Sequence, residues 1–128
     1  MKQIISVAVV NFNARWGEKS INYERIVGYI EAASRRGVNL IVLPELCLTG
    51  YDDENHVAKE QKMQVRLAEN KYGEMVSELL DLAKVYNMYI VLGMPERNKK
   101  DDATIHNSAL VLTPESMSYT YRKIHLAL

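Results

Sequence analysis

The stretch that decides the fold reads Leu40-Ile41-Val42-Leu43-Pro44-Glu45-Leu46-Cys47-Leu48-Thr49-Gly50-Tyr51. It begins as an apolar run of strand length and ends at Pro44, because proline cannot donate a ladder hydrogen bond. Glu45 then places a carboxylate just past the C-terminal end of a buried strand, where α/β sheets bind their ligands. Gly50 permits a sharp turn that would hold this loop in a defined shape. On these residues alone, a solvated loop acid is the simpler interpretation of Glu45.

On the N-terminal side of this stretch, the sequence predicts a strand, a helix and a second strand. Residues 4–12 form a near-continuous apolar run, which is typical of a strand buried on both faces of a parallel sheet. From about Ser20 to Arg36 the apolar residues recur at helical spacing, and Gly37 suits the position after a helix end. The second strand spans residues 39–43. Such a unit normally has a right-handed crossover and parallel strands.

Residues 52–70 form the most polar part of the chain. They predict either a solvated excursion over the surface, which is the simpler interpretation, or a rim beside Glu45. The excursion opens with Asp52, Asp53 and Glu54, but three adjacent carboxylates cannot all face one ion. We therefore predict no metal site here.

The C-terminal side predicts a second amphipathic helix and three strands. The helix runs from Gly73 to Asn87. The third strand of the chain covers residues 88–94 and is expected to end at Pro95. Residues 105–112 and 117–122 then form two further strands, most simply an antiparallel hairpin.

Length and composition limit the class of protein. The 128 residues predict one domain, residues 1–128, and the 16 basic and 16 acidic residues give a net charge of zero. Without a basic surplus, we expect neither nucleic acid nor a membrane as partner. Cys47 is the only cysteine, which fits a reducing, cytoplasmic location, and the three histidines show no metal-ligand spacing. We expect no cofactor and no metal.

A second stretch changes the interpretation of Glu45. It reads Tyr119-Thr120-Tyr121-Arg122-Lys123-Ile124-His125-Leu126. Together the two stretches resemble the nitrilase superfamily of carbon–nitrogen hydrolases, in which a Pro-Glu-Leu-x-x-Thr-Gly-Tyr segment carries a catalytic glutamate and a Tyr-Arg-Lys-x-His-Leu segment carries a catalytic lysine. Residues 89–97 and the segment His106-Asn107-Ser108-Ala109 also resemble family strands. The resemblance covers nearly the whole chain, in order.

The resemblance implies a fold. Family members form a four-layer α-β-β-α sandwich with two sheets face to face. This chain would supply the N-terminal half, an α/β unit with one mixed sheet and two covering helices. The inner apolar face of that sheet would then be exposed, and patches of that size are rarely left to solvent. We therefore expect a homo-oligomer, a partner that supplies the C-terminal half, or a marginally stable fold.

The resemblance also implies a reaction and its site residues. The family hydrolyses or transfers at a carbon–nitrogen bond of a small amide, carbamoyl group or nitrile. Glu45 would be the general base for a cysteine thiol and later for water. Lys123 would stabilise the oxyanion of the tetrahedral intermediate. Tyr51 would line the substrate pocket or pack the loop. A nearby lysine lowers the pKa of a glutamate, so burial of Glu45 would have to offset this effect for a useful base.

The nucleophile is not among the matched segments. In the family it is a cysteine a few tens of residues beyond the lysine, and Leu128 lies five residues after Lys123. Cys47 is flanked by leucines, so we expect a small buried hydrophobe and not a nucleophile. Three hypotheses remain: the N-terminal part of an amidohydrolase that is inactive as it stands, one chain of a split enzyme, and a non-catalytic binding or assembly module.

Overall fold

A five-stranded mixed sheet forms the centre of the protein in a computed structural model that describes residues 3–51, 54, 56–101 and 103–126. The strands follow chain order across the sheet: β1 (Val7–Val9), β2 (Leu40–Val42), β3 (Tyr89–Arg97), β4 (Ile105–Leu112) and β5 (Ser118–Arg122). The helices are α1 (Lys19–Arg35), α2 (Met63–Leu67) and α3 (Glu74–Val85), with a 3₁₀ turn at Lys59–Gln61. The first three strands are parallel and the last three form an antiparallel meander. The predicted mixed sheet is confirmed.

Two helices cover one face of this sheet. Apolar side chains of α1 and α3 pack against the inward-facing side chains of β2, β3 and β4, where burial of each large aliphatic side chain contributes roughly 1.5–3 kcal/mol. The buried side chains of this layer are Ile26, Ile30, Ala33, Val76, Leu79, Ala83, Ile41, Ile90, Leu92, Leu110 and Leu112. The helix predicted from about Ser20 to Arg36 is therefore confirmed, and Ile26, Ile30 and Ala33 form its apolar face.

On the other face of the sheet, no helix that the structure describes packs across the middle of the strands. Strand pairing aligns one row of side chains across it: Val9, Val42, Val91, Val111 and Tyr119. The ends of this row are open, since Val9 is 77% exposed and Tyr119 is 56% exposed. We call this row, with its neighbours on the same face, the open face.

The prediction of a doubly buried first strand is wrong. Only Val7–Val9 form β1, and both Val7 and Val9 are exposed. The strand lies at the edge of the sheet, where Ala8 and Val10 pack on the helix side and the alternate residues lie on the open face. A continuous apolar run could not reveal that one of its faces is uncovered.

The prediction that the third strand ends at Pro95 is also wrong, because β3 continues to Arg97 with Pro95 opposite Asn107. The Pro95 carbonyl turns away from β4 and accepts a hydrogen bond from the Glu69 N–H at 3.0 Å. The nitrogen of Pro95 turns to the same side, so its missing N–H removes no bond between β3 and β4.

The polar excursion contains the 3₁₀ turn and α2. Asp52 and Asp53, for which no metal role was predicted, lie outside the described residues. No helix in the part of the chain that the structure describes is long and apolar enough to cross a bilayer.

Candidate active site

Glu45 opens a tight turn three residues after the end of β2. The Leu46 carbonyl accepts hydrogen bonds from the N–H groups of Thr49, at 3.2 Å, and Gly50, at 2.8 Å. Leu46 has a φ of 50°, in the left-handed region that residues other than glycine rarely adopt. Such a conformation persists only where the surrounding structure holds it, and here the turn is held from two sides.

The first support is the backbone of Gly93 in β3. A Cβ atom at this position would lie 2.3 Å from the Pro44 carbonyl oxygen and 2.7 Å from the Leu46 nitrogen. Only glycine therefore lets the turn pack directly on the strand. The Cys47 thiol completes the contact by donating to the Gly93 carbonyl at 3.3 Å.

The second support is Asn22, a fully buried residue of α1. Its amide nitrogen donates to the Leu48 carbonyl at 3.1 Å and to the Arg15 carbonyl at 2.8 Å, and its oxygen accepts from the Arg15 N–H. A buried amide that satisfies three backbone groups fixes their relative positions. The turn that carries Glu45 is thus tied to α1 as well as to β3.

The Glu45 carboxylate accepts three side-chain hydrogen bonds, two of them from residues distant in sequence. Lys123 donates to Oε1 at 2.9 Å and Asn107 donates to the same oxygen at 2.7 Å. Tyr51 donates to Oε2 at 2.7 Å. The structure therefore brings together all three predicted site residues, Glu45, Lys123 and Tyr51, at the edge of the open face.

These contacts control the ionisation of Glu45. The hydrogen bond from Lys123, followed by that from Tyr51, lowers the pKa of Glu45. Burial raises this pKa to a smaller extent, and the hydrogen bond from Asn107 lowers it slightly further. Burial does not offset the lysine here, because the Glu45 side chain is still 38% exposed and that of Lys123 is 40% exposed. The hydrogen bond between Tyr51 and Glu45 raises the pKa of Tyr51, since the Tyr51 O–H donates to a carboxylate.

Sequence reasoning assigned no role to Asn107. Its only signal was its place in the segment that resembles a family strand. In the structure it is the β4 residue whose carbonyl accepts the Lys123 N–H at 2.8 Å, while its side chain holds Glu45. Asn107 therefore links the backbone of Lys123 to the carboxylate of Glu45, a long-range arrangement that no local pattern encodes.

A cavity of about 480 Å³ opens beside Glu45. The polar excursion forms part of its wall, so this segment is more than a solvated surface loop. The lining residues that it contributes are Lys59, Lys62, Gln64 and Val65, and they face Pro95, His106, Asn107 and Lys123. In the described residues, no group of three or more His, Cys, Asp or Glu side chains could hold a metal ion.

Cys47 has the properties of a packing residue. It is fully buried, and burial raises the pKa of its thiol to about 12. The thiolate is the reactive form of cysteine, and at neutral pH this thiol stays protonated.

Comparison with known proteins gives one consistent result. A family model described as carbon-nitrogen hydrolase matches residues 6–127. A protein named nitrilase from Pyrococcus abyssi is 37% identical over 125 residues, and an (R)-stereoselective amidase from a Pseudomonas species is 30% identical over 122 residues. The alignments cover 96% and 95% of this chain, but only 44% and 40% of those proteins.

The fold is shared with solved structures at lower identity. A CN-hydrolase superfamily protein from Xanthomonas campestris superposes with a TM-score of 0.77 at 21% identity, covering 94% of this chain and 41% of that one. The sequence described here thus spans less than half of the length of the proteins that it resembles.

Replacing Gly93 with alanine should displace the turn that carries Glu45. The added methyl group has no room beside Pro44 and Leu46, so we expect the free energy of unfolding to fall by roughly 1–3 kcal/mol. Denaturant unfolding measures the change. The matched control is Gly28→Ala in α1, where a Cβ atom meets nothing within 4 Å and helix propensity should raise stability by roughly 0.5–1 kcal/mol. Equal stability of Gly93→Ala and the unsubstituted chain would contradict the packing described.

The pKa of Glu45 should respond to each of its partners. We expect Lys123→Met to raise it most, Tyr51→Phe less and Asn107→Ala least, because the hydrogen bond from Lys123 is the largest lowering effect. Since the folded-state pKa is lowered, the stabilisation is complete above the ordinary value of 4.5 and is lost as the pH falls through the folded-state pKa. Titration of the Glu45 carboxyl carbon by NMR measures each value.

The control for this titration is Lys84→Met. Lys84 is an exposed lysine of α3, on the side of the sheet opposite the open face. The Lys84→Met substitution removes one positive charge, as Lys123→Met does, but at a position away from Glu45. A Glu45 midpoint that moved as far in this variant as in Lys123→Met would argue against a specific contact.

Proposed function

Because the chain belongs to the carbon–nitrogen hydrolase family, we propose that residues 1–128 form the N-terminal part of a single cysteine-dependent hydrolase domain that acts on a small amide or nitrile. The observation that carries the proposal is the convergence of Glu45, Lys123 and Asn107 at one end of the open face, beside a cavity of about 480 Å³.

Glu45 is the general base in this proposal. A carboxylate can take the proton of a cysteine thiol as its sulfur attacks the carbon of the substrate, and can pass that proton to the nitrogen that leaves as ammonia. The free carboxylate can then take a proton from the water that releases the acyl group from the sulfur. Glu45 is well suited to hold one position during both steps, because its two oxygens are bound by Lys123, Asn107 and Tyr51. Tyr51 also lines the cavity, so the proposal gives it a second role in contacting substrate.

Lys123 stabilises the oxyanion. Its ammonium group has three N–H donors, and one of them binds Glu45. The other N–H groups can face charge that develops on the substrate oxygen or nitrogen, where a fixed cation lowers the barrier. Lys123 lines the cavity, which supports this assignment.

The nucleophile comes from a segment other than the described turn. The Cys47 thiol is buried and donates to a backbone carbonyl, so it does not face the cavity. We propose that a further polypeptide segment, on the same or a second chain, packs on the open face and brings a cysteine next to Glu45. Such packing would also withdraw Glu45 from water and so raise its pKa towards the range of a useful base.

Activity tests the roles of Glu45 and Lys123. Residues 1–128 are joined to, or mixed with, a C-terminal segment that carries a family cysteine, and ammonia release from small amides and nitriles is followed. We expect turnover that falls about 100-fold or more in Glu45→Gln and in Lys123→Ala. The conservative control Glu24→Gln, at an exposed position of α1, should keep full turnover.

Two results would count against this proposal. Turnover that survives in Glu45→Gln would show that Glu45 is not the general base. Binding of an amide without turnover, in a folded complex that contains the cysteine, would support the non-catalytic binding module instead.

Self-association tests the role of the open face. We expect residues 1–128 alone to form dimers or larger species at micromolar concentration, because an apolar sheet face of this kind is rarely left in water. The double variant Val9→Lys, Tyr119→Lys places charges at both exposed ends of the apolar row and should shift the protein towards monomer in sedimentation velocity.

The control is Val85→Lys, an equally conspicuous apolar residue, 73% exposed, at the end of α3. It should leave the distribution of species unchanged. A well-folded monomer of the unsubstituted chain at these concentrations would contradict the proposed covering of the open face.

A further inference from the structure

Glu96 is a buried carboxylate that the proposed mechanism does not use. Its side chain is 1% exposed and lies on the helix side of β3, away from the cavity wall. Arg122 of β5 binds it with two hydrogen bonds, from Nε at 2.9 Å and from Nη2 at 2.8 Å. Ser108 of β4 donates a third at 2.7 Å. One carboxylate thus joins three neighbouring strands.

Each member of this cluster is adjacent in sequence to a residue of the cavity wall. Glu96 follows Pro95, Ser108 follows Asn107, and Arg122 precedes Lys123. Successive side chains of a strand point to opposite faces. The cluster therefore fixes, from the helix side, the three backbone segments whose next side chains face the cavity.

Arg122 is the last residue of β5, so the position of Lys123 depends on what holds the strand end. The Lys123 N–H donates to the Asn107 carbonyl at 2.8 Å, and the residues that follow, Ile124 and His125, are exposed. The Arg122 side chain is 40% exposed, but its partner Glu96 is buried, so Arg122 is the last residue before Lys123 that is bound to the interior.

The Glu96–Arg122 pair is better suited to fixing the orientation of the strands than to raising the free energy of unfolding. Only the Glu96 half of this ion pair is buried, since the Arg122 side chain is 40% exposed. An ion pair that withdraws a charge from water contributes little net stability, and apolar residues of similar size often replace such a pair without loss. What a bidentate arginine–carboxylate pair provides is a fixed orientation, because the planar guanidinium and the carboxylate match at two points. Burial raises the pKa of Glu96, but the bonds from Arg122 and Ser108 outweigh this effect and keep its pKa below the usual value, so the carboxylate stays charged.

We infer that the Glu96–Arg122 pair, with Ser108, is a positioning device that holds Lys123 and Asn107 against Glu45. Glu96 and Arg122 line no part of the cavity and act through their neighbours. The inference rests on the proposed function only for its effect on turnover, since the arrangement of the Glu45 contacts can be measured without any reaction.

The ionisation of Glu45 reports this positioning. Its direct partners are Lys123, Asn107 and Tyr51, and Lys59, Lys62 and His106 are the other titratable side chains of the cavity wall. None of these is altered in the test variants. Arg122→Lys keeps the charge but loses the bidentate geometry. The double variant Glu96→Leu, Arg122→Leu removes both charges together, so the net charge near Glu45 is unchanged.

In both variants we expect the Glu45 midpoint, measured by NMR titration, to move upward by a measurable fraction of the shift in Lys123→Met. The double variant should do so while its melting temperature stays close to that of the unsubstituted chain. In the active complex, Arg122→Lys should lower kcat about 10-fold with little change in KM, since small displacements of catalytic groups are costly.

The control is Lys19→Met, which breaks the Lys19–Glu69 ion pair at 2.6 Å, whose two side chains are 19% and 17% exposed. It should lower the melting temperature without moving the Glu45 midpoint. An unmoved midpoint in both test variants would overturn the inference, whether or not turnover is seen in the complex. Loss of the fold in both variants would also overturn it, because the pair would then be required for the fold itself.

Discussion

The close packing of the 45–50 turn on the backbone of Gly93 is the constraint on which the site depends. A strand backbone rarely admits another backbone this near, and only the missing Cβ allows it. The contact sets the height of Glu45 above β3, and Asn22 of α1 fixes the other side of the turn. Because β3 also pairs with β4, the same strand that seats Glu45 sets the position of Asn107. One glycine thereby couples two chain segments that are 62 residues apart.

The two faces of the sheet have different tasks. The face under α1 and α3 contains the aliphatic core and the Glu96–Arg122 pair, so it supplies stability and rigidity. The open face carries an apolar row and ends at Glu45 and Lys123, which are both more than a third exposed. The contact with Lys123 lowers the pKa of Glu45 and keeps it ionised. In the proposed function, Glu45 becomes a stronger base only when a covering segment excludes water from it. The chemistry of the site is therefore tied to what covers this face.

Local sequence patterns predicted the elements well, because helical spacing and strand composition are local properties. Helical spacing between Ser20 and Arg36 and between Gly73 and Asn87 located both covering helices, and the strand-like runs at 105–112 and 117–122 located the hairpin. The proximity of Glu45 and Lys123 came from the family resemblance and not from a pattern, because they lie 78 residues apart. Asn107, Gly93 and Glu96 were missed for the same reason. Their roles arise from strand register and close packing, and the exposure of β1 depends on a covering layer that periodicity does not show.

In the proposed mechanism, Lys123 must serve two demands that compete for one charge. Its ammonium group keeps Glu45 ionised, yet an oxyanion also requires that charge. The structure divides the work, because Asn107 and Tyr51 hold Glu45 with neutral donors while Lys123 contributes one of its N–H groups. In that mechanism, protonation of Glu45 weakens its attraction for Lys123 at the step at which negative charge develops on the substrate. A glutamate held partly by neutral donors can thus stay in place while the lysine turns to its second partner.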